Sequence, residues 1–105
     1  MSISVADNPQ DHRYEIRVDG ELAGFTVYNP HRRVLAFTHT EIDPSFEGQG
    51  LGSRLVGAAL DDVRARGLAV LPFCPFVRSF IAAHGDYVEL VPTNRRKAFE
   101  LDGGA

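Results

Sequence analysis

The chain reads as an α/β domain on an α+β mixed sheet: an antiparallel meander, then a strand–glycine loop–helix–strand crossover, then a short C-terminal helix. Three observations predict this. Up to Ile42, polar and apolar residues alternate at the strand period between turn signals. From Leu51 the apolar period becomes helical. Leu68–Phe73 is then a near-continuous apolar run, as a buried parallel strand requires.

Residues 1–12 read as a short lead-in strand or a loose end. Arg13–Val18 (RYEIRV) alternates as a strand, and Asp19-Gly20 is the strongest short hairpin signal. Leu22–Tyr28 is the returning strand, Asn29–Arg33 a second turn, and Val34–Ile42 a third strand. Asp43–Ser45 ends that strand ahead of the glycines. Leu51, Leu55, Ala58, Ala59 and Val63 form the apolar stripe of a helix over Leu51–Arg66, and Gly67 sits where a C-cap belongs. Strand, loop, helix and buried strand make a right-handed crossover. Cys74-Pro75 closes the strand, and Phe76–Gly85 carries a short helix with a stripe of Phe76, Val77, Phe80 and Ile81. Asp86–Val91 reads as a last strand or an extended tail. Residues 93–105 form a polar end, from which Phe99 and Leu101 could dock. The whole, residues 1–105, is one domain, with 1–12 and 93–105 as its loose ends.

Lys+Arg 11 against Asp+Glu 14 leaves a net charge of −3, so no basic field points to nucleic acid. Lys97 is the sole lysine, and Arg95-Arg96-Lys97 reads as a solvated tail cluster. The single cysteine, Cys74, excludes an internal disulfide and fits a reducing compartment. The N-terminus has no apolar signal core, and no stretch approaches a membrane span. A cytoplasmic protein with no nucleic-acid or membrane partner is expected. No His or Cys spacing suggests a metal.

Gly48, Gly50 and Gly52 stand just before the helix. A helix N-terminus presents unpaired N–H groups and partial positive charge, which suits a phosphate if backbone can approach closely. Side chains at these three positions would block that approach, and Ser53 adds a hydroxyl. Arg78, exposed by helical phase, could meet a phosphate. A nucleotide-hydrolase phosphate loop would need a lysine after its last glycine, and here Gly52 precedes Ser53-Arg54. A dinucleotide fingerprint needs G-x-G-x-x-G in a parallel unit, and here G-x-G-x-G follows antiparallel strands.

Glu47-Gly48-Gln49-Gly50-Leu51-Gly52 resembles the Q/R-x-x-G-x-G/A motif of the GCN5-related N-acetyltransferases, the GNAT superfamily. The resemblance runs over roughly Arg13–Val91, and the short chain looks like the small single-domain branch often called YjdJ-like. It implies that acetyl-CoA is the cosubstrate, with coenzyme A pyrophosphate cradled by Gly48, Gln49, Gly50, Leu51, Gly52 and Ser53. It further implies that the Thr40–Ile42 backbone, with Thr40 and Ile42, aligns the acyl arm, and that an unidentified amine accepts the acetyl group. One departure stands out: Glu47 occupies the position that is usually Arg or Gln. The extra N-terminal helices of larger relatives are absent, so the acceptor face is expected to be open. That would suit an amine on a protein or peptide or else a dimer partner, and the chain is expected to be a monomer or weak homodimer.

Catalytic candidates follow, each beside a plainer reading. Cys74 ends a buried strand, where cysteine is usually a small hydrophobe. It also lies at the ligand-binding edge of an open α/β sheet, before a helix N-terminus that favours thiolate. The small branch carries a cysteine in this place, beside the thioester. His39 and Glu41, two apart on one strand face, could serve as general base, Glu41 first; alternatively they are a polar outer face. Tyr87 matches the region of a GNAT general acid but reads better as packing, and His84 as a cation at a helix C-terminus. Phe73, Phe76 and Phe80 read mainly as core, with Phe76 also a candidate wall of the acyl channel. A non-catalytic acyl-CoA-binding or sensing module would keep the glycine loop without base or acid. A structural protein would use the glycines only to turn.

Overall fold

The computed structural model describes residues 1–101. Its sheet has five strands in sequence order: β1 (Ile3–Asn8), β2 (Arg13–Val18), β3 (Glu21–His31), β4 (Val34–Ile42) and β5 (Ala69–Pro72). β1 to β4 are antiparallel neighbours, and β5 joins β4 in parallel. Helix α1 (Leu51–Ala65) makes the crossover and α2 (Pro75–Ala83) follows β5. The mixed sheet and the crossover are those expected.

The turns follow local chemistry. Asp19 (φ 50) and Gly20 (φ 84) are both left-handed, as a two-residue hairpin of matching twist demands. The turn expected over 29–33 narrows to Arg32-Arg33, with Arg32 at φ 50, and β3 runs on through Pro30 to His31. Gly67 (φ 70) follows α1, as expected of a C-cap glycine.

One open reading is settled and two expectations are corrected. Of the two readings of residues 1–12, the lead-in strand holds and the loose end does not, because β1 pairs with β2 along its whole length. The Asp19 N–H donates to Ser2 O (2.7 Å) and the Ser2 N–H to Asp19 Oδ1 (2.8 Å). Asp7 accepts from the Tyr28 hydroxyl (2.7 Å) and from Arg66 Nη1 (3.1 Å), tying the strand to the end of α1. Residues 86–91 form no strand; Gly85–Leu90 is a 3₁₀ helix, held to α1 where the Tyr87 hydroxyl donates to Asp61 Oδ1 at 2.7 Å. Residues 93–101 coil into 3₁₀ turns at Thr93–Arg95 and Lys97–Phe99, with Phe99 and Leu101 buried as their apolarity suggests. The end of the expected tail, 102–105, lies outside the described residues.

The core lies between one sheet face and the helices. Leu51, Leu55, Val56, Ala59, Leu60 and Val63 of α1 meet Tyr14, Ile16, Tyr28 and Phe37 of the sheet, and Val77 and Ile81 of α2 join them. Val56 and Leu60 enlarge the stripe, whereas Ala58 is half-buried. Tyr14 and Tyr28 reach polar partners at the rim: the Tyr14 hydroxyl donates to Asp62 Oδ2 at 2.6 Å, and burial with that bond raises its pKa. Phe73 and Phe76, expected mainly as core, stand out with 53% and 43% exposure.

The β3–β4 register contains one irregularity that positions the site. Val27 pairs with His39 and Tyr28 with Phe37, so Thr38 is an extra residue, a β-bulge. Alternation therefore restarts after Thr38. Thr40 and Ile42 continue on the face of Phe37, and His39 and Glu41 turn to the opposite face, where both side chains are more than half exposed.

Candidate functional site

β5 pairs with β4 only over Val34–Phe37, ends at Pro72, and turns away into α2. The Cys74 N–H makes the last link, to Phe37 O at 2.8 Å. Beyond it, β4 from Thr38 to Ile42 has no strand partner on that side, so the two parallel strands diverge around a gap.

The gap opens into a cleft of about 230 Å³ lined by Ile42, Phe46, Glu47, Gly48, Gly50, Leu51, Gly52, Ser53 and Phe76. Asp43 shapes its mouth. The Asp43 carboxylate accepts from the Ser45 hydroxyl (2.6 Å) and N–H (2.9 Å), bonds that lower its pKa and fix the 3₁₀ turn Pro44–Phe46. Gly48 (φ 82) and Gly50 (φ 72) then take left-handed conformations that only glycine adopts freely. Gly50 is the N-cap of α1 and has no capping side chain. The N–H groups of Gly48 to Ser53 have no acceptor among the described residues. They form a bank of backbone donors at the positive end of a fifteen-residue helix, with no acidic residue in the first turn.

The three glycines do different things. A Cβ at Gly48 or Gly50 would meet nothing within 4 Å, so the space beside both is open. A Cβ at Gly52 would come within 2.7 Å of Phe76 Cζ. Gly52 therefore admits the Phe76 ring against α1, and that ring becomes the wall opposite Ile42. Room for a ligand, the expected reason for all three glycines, applies to two of them.

The predicted residues distribute as follows. Gly48, Gly50, Leu51, Gly52, Ser53, Ile42 and Phe76 come together in the cleft, with Glu47 on the same wall. Gln49 is exposed on the loop and is not part of that wall. Arg78 is not on it either; its Nη1 lies 3.8 Å from Glu100 Oε1. Two residues along β4 from Ile42 comes Thr40, and two back from Phe76 comes Cys74. These meet, Thr40 Oγ1 to Cys74 Sγ at 3.3 Å, and Cys74 is the N-cap of α2 with 3% exposure. His39 Nε2 and Glu41 Oε1 are 3.1 Å apart on the sheet face that carries no α-helix, with the Phe25 ring 6.3 Å from that of His39. The cleft and this pair thus lie on opposite sides of β4.

Tyr87 is removed from this chemistry. Its hydroxyl is given to Asp61, ten residues or about 15 Å along α1 from Leu51. That hydrogen bond, with burial, pushes its pKa up to about 12. His84 caps α2, its ring stacked on Phe80 at 4.2 Å and Nδ1 2.9 Å from Phe80 O. Two site residues escaped sequence reasoning. Phe46 lines the cleft, and its signal was an apolar residue stranded in a polar turn. Thr26, fully buried, lies 2.8 Å from Thr40 Oγ1 and gave no signal. Among the described residues no group of three or more His, Cys, Asp or Glu could hold a metal ion, and no helix is long and apolar enough to cross a membrane.

Comparison with known proteins agrees with this architecture. Among solved structures the chain is similar to a GCN5-like putative N-acetyltransferase from Staphylococcus aureus, with TM-score 0.64 and 16% identity over 85% of this chain and 87% of that one. It is similar to the ribosomal-protein-S18-alanine N-acetyltransferase from Escherichia coli, with TM-score 0.52 and 24% identity over 55% of this chain and 38% of that one. Ard1 from Thermoplasma volcanium gives TM-score 0.50 and 25% identity, over 58% and 43%. The chain spans less than half the length of the last two. No curated protein matches it. The family model for the GCN5-related N-acetyl-transferase matches residues 13–90, three quarters of the chain and all of the site just described, and the chain belongs to that family.

Proposed function

We propose that this chain is an acetyl-CoA-dependent N-acetyltransferase whose acceptor is an amine on a protein or peptide. The observation that carries the reading is the bank of unpaired N–H groups from Gly48 to Ser53, at the mouth of the gap between β4 and β5. These donors would hold the diphosphate, Ile42 and Phe76 would flank the acyl arm, and the free edge of β4 from Thr38 to Ile42 would align it. Acetyl-CoA, as cosubstrate, supplies an activated acyl group. Glu47 faces the same cleft and opposes an anion, so the backbone carries the binding while this carboxylate weakens it.

Cys74 lies beside Thr40 at the inner end, where an acetyl group could pass through its sulfur. Glu41, paired with His39, is the proton acceptor at the open sheet face. Because that pair lies across β4 from the cleft, the amine would approach from the helix-free side. Among the described residues no α-helix covers that face, and a peptide or protein acceptor would fit it. A non-catalytic acyl-CoA-binding module is the alternative; the exposure of both base candidates to water favours it.

Calorimetry with acetyl-CoA and with CoA, followed by intact mass, tests the reading. Micromolar binding of both is expected, with an adduct of about 42 Da, one acetyl group, that disappears in Cys74→Ala. Binding without adduct, and turnover lost in Glu41→Gln, would indicate direct transfer. Binding without turnover of any amine would leave the sensing module, and absence of binding would overturn both.

A further inference from the structure

Behind the cleft three side chains from three elements form a line. Thr26 Oγ1 on β3 is 2.8 Å from Thr40 Oγ1 on β4, which is 3.3 Å from Cys74 Sγ at the head of α2. Among the described residues Thr26 is the only polar residue of the buried class, at 0% exposure. Among the described residues no other side-chain hydrogen bond is found for any of the three.

Three hydrogens share two contacts, so one is always left over, and the cost of leaving it decides the direction. If the thiol donated to Thr40 and Thr40 to Thr26, the orphan would be the fully buried Thr26 hydroxyl. If both Thr26 and the thiol donated to Thr40, the orphan would be the Thr40 hydroxyl. A hydroxyl donor left unmet away from water costs about 1–3 kcal/mol. S–H is a weak donor and costs far less to leave. Only one arrangement satisfies both hydroxyls: Thr26 donates to Thr40, and Thr40 donates to the sulfur.

We infer that Thr26 and Thr40 form a one-way relay onto Cys74, with Thr40 as a positioning residue for its sulfur. The hydrogen bond occupies the side of the sulfur toward Thr40 on β4 and supports negative charge on it. The S–H is left free to point elsewhere. The role rests on the reading in which Cys74 exchanges with the thioester. In that step the Cys74 sulfur bonds the acetyl carbon, the bond from that carbon to the coenzyme sulfur breaks, and the thiol proton passes to the departing sulfur. Thr40 keeps its own proton throughout.

Two measurements on the full chain without coenzyme test the relay apart from the acetyltransferase reading. Cys74 is the sole cysteine, so the infrared S–H stretch is a single band. It is expected at the position of a thiol that accepts but does not donate, unmoved toward higher frequency in Thr40→Val. The rate of Cys74 modification by methyl methanethiosulfonate is expected to fall at least about tenfold in Thr40→Val and in part in Thr26→Val, and to recover in Thr40→Ser. Thr40→Ser keeps the hydroxyl, so its recovery separates the relay from simple packing, and melting curves confirm that each variant folds. A band that rises and narrows in Thr40→Val would mean that the thiol donates, which overturns the relay. Equal rates in parent and Thr40→Val, or no recovery in Thr40→Ser, would also overturn it. Loss of coenzyme binding or turnover alone would count against the proposed function and leave the relay standing.

Discussion

Gly50 separates two jobs that the loop performs at once. Its φ of 72 lies in the left-handed region, and a Cβ there would meet no atom within 4 Å. Gly50→Ala therefore brings no clash, and its cost is conformational, about 1–2 kcal/mol for an L-residue held left-handed. In a chain of this length each kcal/mol moves Tm by about 4–8 °C, so a drop of about 5–15 °C is expected. Gly50→Asn should lose about half as much, because Asn tolerates this conformation and is a strong N-cap. Both substitutions place a Cβ in the space beside the unpaired N–H groups, where the diphosphate would sit. Coenzyme A affinity should fall about tenfold or more in both, a loss of roughly 1.4 kcal/mol. Thermal melts and calorimetry on the same samples read the two effects. Stability should rank Gly, Asn, Ala, while binding falls in both variants. If Gly50→Ala melts with the parent, the loop is not held left-handed. If stability falls as calculated and both variants bind coenzyme A as the parent does, the anion seat is elsewhere.

Other substitutions address neighbouring features. Gly52→Ala should be nearly neutral or slightly stabilising in urea unfolding, since removing a helical glycine contributes about 1 kcal/mol and the exposed Phe76 ring can swing out; coenzyme affinity should still fall, because that ring is a cleft wall. Gly24→Ala would set a Cβ 2.5 Å from the Glu41 backbone oxygen, which cannot yield without opening the β3–β4 ladder; a loss of about 3 kcal/mol or more is expected in the same assay. For pH dependence, Tyr87 is raised by its bond to Asp61 to about 12, and Tyr14 and Tyr28 are raised by burial. The stability this gives is fully present below pH 10 and is lost as pH rises through about 12. Phenolate absorbance should show no tyrosine titrating near 10 in the parent and one moving down toward it in Asp61→Asn.

The meander, the crossover and the cleft residues were legible because their signals are local. Asp19-Gly20 carries its turn in two residues, α1 its stripe in fifteen, and the glycine loop its flexibility in five. β1 was legible only as one of two readings, strand or loose end, since much of what holds it comes from far along the chain: Tyr28 and Arg66 on Asp7. The same holds for Asp86–Val91, whose DYVELV suits a strand until Tyr87 finds Asp61. Gly52 looks like its two neighbours in sequence and differs only because Phe76 returns to it. Thr26, Thr40 and Cys74 share no spacing at all, so their line exists only once β3, β4 and α2 are assembled.

Thr38 works as a parity bit. Strand side chains alternate between two states, and one extra residue in a regular ladder would invert everything after it; the bulge absorbs the extra residue and prevents this. Were β4 to pair regularly with Thr38 kept and no bulge, the outputs would swap: the charged pair His39 and Glu41 would turn into the packed layer, and Thr40 and Ile42 would turn out to water. A related sequence that lacks Thr38 can keep the same faces on a regular ladder, whereas one that keeps it needs the bulge to keep its cleft.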